Sequence, residues 1–121
     1  MSQKILICDD EEGIRESLKL ILEDHYDLLL ADQGKQCLEF LKNNKDIGLV
    51  FLDIKMPKIH GLDILEVIKK DHPRVKVVMV TGYQSVDTAS EATQRGASGY
   101  IVKPFKSTDI LESAKRNLEA K

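Results

Sequence analysis

Three short runs in this chain, ILIC, LVFL and VVMV, are apolar at every position. A strand with one wet face alternates apolar and polar residues, whereas a strand apolar on both sides must be covered on both. The runs therefore predict parallel strands sandwiched between helices. Five such β-prone stretches recur, at 4–8, 26–31, 49–52, 75–80 and 99–102, and each is followed by residues with helical spacing. The fold class read from this alternation is α/β, a doubly wound five-stranded parallel sheet with five helices.

The intervening stretches carry the apolar stripes that such helices need. Ile14, Leu18, Ile21 and Leu22 fall on one face of the first, and Cys37, Leu38 and Leu41 on the second. The third presents Ile64, Leu65, Val67 and Ile68 after Gly61, and Pro73 stops it beyond His72. Ser85 is positioned to cap the fourth helix and Gly96 to end it. Its expected inner face, Val86, Ala89 and Ala92, is small and weakly apolar, so this helix should be among the less firmly anchored elements. The fifth starts near Ser107, turns Ile110, Leu111, Ala114 and Leu118 to the sheet, and runs almost to Lys121.

At 121 residues the chain suits a single domain, 1–121, large enough to bury a core without disulfides or a structural metal. Its 18 basic and 20 acidic side chains give a net charge of −2, which argues against direct nucleic-acid binding by phosphate neutralisation. Cys8 and Cys37 sit in apolar contexts without CxxC spacing, as buried thiols of a reducing compartment do. No stretch has the length and apolarity of a signal peptide or a membrane span, so the expected location is the cytoplasm.

In open parallel sheets, ligands bind beyond the carboxyl ends of the strands. Those ends are unusually polar here. Asp9 and Asp10 follow the first run, Asp53 the third, Thr81 the fourth and Lys103 the fifth; Asp32 trails the second.

The segments CDDEE, FLDIKMPKIHG, VTG and YIVKPF, in this order and at strand ends, resemble the receiver domains of bacterial two-component response regulators, whose fold is that of the chemotaxis regulators. The likeness covers essentially the whole chain and implies the flavodoxin-like strand order 2-1-3-4-5. With strands about 4.8 Å apart, Asp53 on the central strand then has the Asp9/Asp10 strand on one side and the Thr81 strand on the other. The fifth strand is about 10 Å away, so a group reaching Asp53 from it needs the long stem of a lysine. Asp32, equally distant and short, is assigned to solvent.

Three crowded carboxylates repel one another and should take up protons unless a cation holds them ionised. All-oxygen donors suit Mg²⁺. The resemblance implies that Asp10 and Asp53 bind the metal directly, Asp9 through water, and that the Lys55 backbone carbonyl completes the protein ligands. Glu11 and Glu12 are read as residues of a solvated loop. By the same resemblance Asp53 is the phosphoacceptor, receiving its phosphoryl group from a sensor histidine kinase, while Lys103 neutralises the phosphoryl oxygens. The amides of Ile54 and Gly82 orient those oxygens. Thr81 reports the modification, and Tyr100 answers by turning inward from a solvent-exposed rotamer. The Lys103–Pro104 bond is expected to be cis. Lys55 and Tyr83 border the path of the hydrolytic water.

The expected role is a signalling phosphoacceptor, with only self-phosphorylation and self-dephosphorylation as intrinsic chemistry. Its switching face consists of the fourth helix, fifth strand and fifth helix, used by an output partner or for phosphorylation-dependent homodimerisation. His25, His60 and His72 lack ligand spacing and are given surface or capping roles. Two other readings fit the fold class less well. A magnesium-dependent phosphohydrolase needs a D-x-D motif and a cap, but DIK follows the third run and the loops are short. A nucleotide- or flavin-binding module needs a glycine-rich phosphate loop after the first strand, where carboxylates stand instead.

Overall fold

Alternation of side chains along each strand splits the apolar runs between two cores, and this explains why the runs contain no polar position. A computed structural model describes residues 3–119. In it Leu6 and Cys8 of β1 (Lys4–Cys8) face one core, while Ile5 and Ile7 face the other. Val50 and Leu52 oppose Leu49 and Phe51 in the same way on β3 (Ile47–Leu52), as do Val77 and Met79 against Val78 and Val80 on β4 (Lys76–Thr81). β2 (Asp27–Ala31) and β5 (Gly99–Val102) close the edges. All pairings are parallel, in the order β2-β1-β3-β4-β5.

The helices cover both faces. Core residues of α2 (Gly34–Asn43), α3 (Gly61–Asp71) and α4 (Val86–Gln94) pack on the first side. Those of α1 (Glu12–Leu22) and α5 (Ser107–Glu119) pack on the second. The strand order and class agree with expectation, as do free, buried Cys8 and Cys37. Lys121 lies outside the described residues. Among those described, no helix is long and apolar enough to cross a membrane.

Two assigned core positions are corrected. Val67 is 39% exposed, because Ile64, Leu65 and Ile68 already fill the buried stripe of α3 and Val67 lies on its flank. Val86 is 82% exposed: α4 begins there, and only Ala92, two turns later, is fully buried. The helix is thus even more lightly anchored than its composition suggests. Arg95, just past its end, ties it to α3 through Asp63 at 3.1 Å while also binding Glu91 at 2.6 Å. Strand limits moved by one or two residues: β2 starts at Asp27, β3 at Ile47, and β4 runs from Lys76 to Thr81.

At the other end of α4, the Ser85 hydroxyl accepts from the amides of Asp87 and Thr88. With so little burial holding the helix, this cap is a large share of its support. Ser85→Ala is expected to cost about 1 kcal/mol. The loss should appear as faster amide hydrogen exchange confined to α4, with the exchange of β1 and β3 unchanged.

Candidate functional site

The register of the central strands assembles the site. Cys8 pairs with Leu52, so the residues that follow, Asp9 and Asp53, leave the sheet side by side, and the Asp53 amide donates to the Cys8 carbonyl at 3.0 Å. β4 continues past Met79, the partner of Leu52, to bring Thr81 level with the site. Thr81 in turn pairs with Val102 and accepts the Lys103 amide at its carbonyl, 2.8 Å, which aims the lysine back across the strand ends. The Lys103–Pro104 bond is cis.

The Lys103 stem crosses to the carboxylates as expected. Its ammonium lies 2.9 Å from Asp9 Oδ2, 3.1 Å from Asp53 Oδ2 and 3.2 Å from Glu11 Oε1. Burial disfavours the charge, but the Asp9 and Asp53 carboxylates outweigh it and hold the Lys103 pKa above the ordinary lysine range. Burial also pushes the Asp9 carboxyl up, against the Glu11 amide that donates to Oδ1 at 2.9 Å and against Lys103. Burial is the main cause, and repulsion from Asp53, the effect expected of crowded carboxylates, adds a smaller push in the same direction.

Carboxylate oxygens of Asp9, Asp10, Glu11 and Asp53 all lie within 4.8 Å of one another, two of these residues buried and two exposed. This donor set, oxygen alone and open to solvent on one side, fits a hard divalent cation that keeps part of its water shell. Glu11 is the residue that sequence reasoning missed. The acidic run suggests a solvated loop, and the Glu11 side chain is indeed 62% exposed, yet it belongs to the carboxylate group and pairs with Lys103. Glu12 is exposed at the start of α1, and Asp32 is exposed away from the cluster, its amide bonded to Gln36.

A cleft of about 230 Å³ opens over Asp53, lined by Glu11, Lys55, Thr81, Gly82, Tyr83 and Lys103. That volume suits a phosphoryl group with water and is small for an organic substrate. A larger cleft of about 420 Å³, lined by His25, Tyr26, Leu111 and Lys115, lacks the carboxylate cluster and is not the chemical site. The Lys55 amide donates to the Asp53 carboxylate, 3.4 Å from Oδ1. Ile54 is wholly buried, and its carbonyl accepts the amides of Met56 and Gly61, fixing the loop. Gly82 is exposed, with open space about its α-carbon.

Thr81 and Tyr100 are joined through one residue. The Thr81 hydroxyl accepts the Tyr83 amide at 3.3 Å, and the Tyr100 hydroxyl donates to the Tyr83 carbonyl at 2.9 Å. Tyr100 is half-buried against the first core, and the Tyr83 carbonyl is the partner of its hydroxyl at the exposed edge. Burial, with the Asp53 charge, raises its pKa. Of the histidines, His60 caps α3 by accepting the Leu62 amide at 3.3 Å, and His72 occupies the C-cap of the same helix.

Residues 5–115 match the family model of the response regulator receiver domain. The chain is 37% identical over 122 residues to the nitrogen assimilation regulatory protein NtrX of Azorhizobium caulinodans, covering 98% of this chain and 27% of that protein. It is 35% identical over 119 residues to the alginate biosynthesis transcriptional regulatory protein AlgB of Pseudomonas aeruginosa, covering 98% and 26%. The chain thus spans about a quarter of the length of these curated relatives. Among solved structures, the receiver domain of NtrX from Brucella abortus superposes with a TM-score of 0.90 at 38% identity, over 97% of this chain and 99% of that one. A CheY-like receiver domain protein from Methanospirillum hungatei gives 0.92 at 36% identity, over 98% and 95%.

Proposed function

The chain belongs to the receiver domains of two-component response regulators, and from that premise we propose that Asp53 accepts a phosphoryl group from the phosphohistidine of a sensor kinase. The observation that carries the assignment is the position of Asp53. It is the one buried carboxylate lining the cleft, 4% exposed, and its Oδ2 lies 3.1 Å from the Lys103 ammonium. Asp9 is equally buried but lies outside the cleft lining, and Asp10 and Glu11 are exposed.

In the proposed step a carboxylate oxygen of Asp53 attacks phosphorus, the P–N bond breaks, and its electron pair leaves with the donor imidazole, which takes up a proton. Lys103 offsets charge on the phosphoryl oxygens, and the exposed amide of Gly82 and the hydroxyl of Thr81 stand on the cleft wall as further donors. Asp9, Asp10, Asp53 and the Lys55 carbonyl are the proposed holders of Mg²⁺, with Asp9 acting through water. When bound, the ion supplies further charge neutralisation at the phosphoryl oxygens. Self-phosphorylation from small donors and self-dephosphorylation complete the chemistry of a signalling domain.

The readout we propose runs through Tyr83. A phosphoryl oxygen that draws the Thr81 hydroxyl toward itself moves the oxygen on which the Tyr83 amide is held, and the Tyr83 carbonyl is the partner of Tyr100. The face formed by α4, β5 and α5 then changes for a homodimeric or output partner, in the cytoplasm, without direct nucleic-acid or membrane contact by this domain.

Incubation with acetyl phosphate and Mg²⁺ is expected to add one phosphoryl group to the intact mass of the wild type. The gain should be lost on Asp53→Asn and on chelation of the metal. No gain in the wild type, or an equal gain in Asp53→Asn, overturns the assignment.

A further inference from the structure

An ammonium has three donors and no more. Lys103 donates to Asp53 and Glu11, at 3.1 and 3.2 Å, and its ammonium is ion-paired with Asp9 at 2.9 Å. A phosphoryl oxygen on Asp53 therefore meets an ammonium already shared among three carboxylates, and gains more of its charge if one of them gives way. Asp9 is held from every side, 2% exposed, with Oδ1 on the Glu11 amide and its own amide on the Ala31 carbonyl. Asp53 carries the incoming group itself. Glu11 differs from both: its side chain is 62% exposed, so its carboxylate can return to water at little cost.

We propose that Glu11 is a positioning residue of the phosphoryl-transfer site, a releasable anchor that holds the Lys103 ammonium until an anionic group on Asp53 displaces it. The inference rests on the reading of Asp53 as the phosphoacceptor and adds a regulator of that site. Glu11 sets how much of the Lys103 charge is free to meet the phosphoryl group, and so tunes the affinity of the site for it. Its placement permits this. Glu11 is the N-cap position of α1 with an extended backbone, and its amide is fixed on Asp9, so the start of the side chain is rigid while its end is free.

The contact can be separated from the charge. Glu11→Gln removes the ion pair, whereas Glu11→Asp keeps the charge but draws it back from Lys103 by one methylene. Glu12→Gln makes the same charge change on the neighbouring exposed residue, which the structure does not pair with Lys103.

The test is titration of full-length variants with beryllofluoride, a phosphoryl mimic, at saturating Mg²⁺. Alongside it, the side-chain ammonium of Lys103 is observed by nitrogen-15 NMR in metal-free protein. Glu11→Gln and Glu11→Asp are both expected to bind the mimic about two- to fivefold more tightly, the range of an exposed ion pair. Both should shift the Lys103 ammonium resonance without metal, while Glu12→Gln matches the wild type in both measurements. If Glu11→Asp behaves as wild type and only Glu11→Gln binds more tightly, bulk charge is responsible and the anchor is refuted. Unchanged Lys103 resonances in both variants refute it also. Failure of the wild type to bind beryllofluoride would instead remove the underlying reading of Asp53.

Discussion

Gly61→Ala is expected to destabilise the protein by about 3 kcal/mol or more, beyond the usual cost of overpacking, because the obstacle is backbone and cannot turn aside. A β-carbon at position 61 would lie 2.1 Å from the Asp53 carbonyl oxygen and 2.6 Å from the Ile54 α-carbon. The close approach has a purpose: the Gly61 amide donates to the Ile54 carbonyl at 2.7 Å, pinning the first turn of α3 to the segment that carries Asp53. Moving the helix away to admit a methyl group would break that bond and loosen the proposed acceptor. Urea melts measure the stability loss, and beryllofluoride binding measures the damage to the site. Gly82→Ala is the control, since nothing lies within 4 Å of the added carbon; its stability should stay within about 0.5 kcal/mol of wild type. Equal melts for Gly61→Ala and the wild type would mean that α3 does not seat on the Asp53 loop as described.

The steric role of Gly61 belongs to a kind of information that the sequence carries poorly. FLDIKMPKIHG marks a loop, but which atoms the glycine approaches depends on where α3 lands. The strands were legible because burial on both faces imposes continuous apolarity, a local signal. The strand-end residues Asp9, Asp53, Thr81 and Lys103 were legible because the parallel topology makes one end of the sheet the place where polar groups converge. Val67 and Val86 were misassigned because the 3.6-residue period gives a stripe without saying how far the sheet extends beneath it. Glu11 was missed for a related reason: an exposed carboxylate in an acidic run looks solvated until the lysine just past β5, 92 residues later in the chain, is placed against it. The bridging backbone of Tyr83 carried no side-chain signal at all.

Lys103→Met tests the electrostatic core of the site, and its expected effect is a loss of about 2–4 kcal/mol in metal-free protein. Methionine keeps the length and apolar character of the stem, so the change is close to removal of the charge alone. What remains is Asp9 and Asp53, with side chains 2% and 5% exposed, facing each other without the cation that neutralises both. The estimate is set below that for a fully enclosed pair because the cleft admits water. Its pH dependence has a definite sign. In the wild type the Lys103 pKa is raised above its unfolded value, so its contribution is fully present below the ordinary lysine pKa and is lost only as pH rises through the folded value, well into the alkaline range. Asp9 has its pKa raised by burial even with Lys103 present. Without the ammonium its folded state must bind protons at still higher pH, where the unfolded chain has released them, so the variant's stability rises as pH falls. The deficit against wild type should therefore narrow from about pH 7.5 to about pH 5. Mg²⁺, by mass action on the folded state, should stabilise Lys103→Met more than the wild type, because it no longer shares the carboxylates with an ammonium. Denaturant melts with chelator and with Mg²⁺ at the two pH values give all four quantities. A variant as stable as wild type in chelator would show that Asp9 and Asp53 do not need Lys103 as their counter-charge, and that the ion pairs at 2.9 and 3.1 Å contribute little to the fold they sit in.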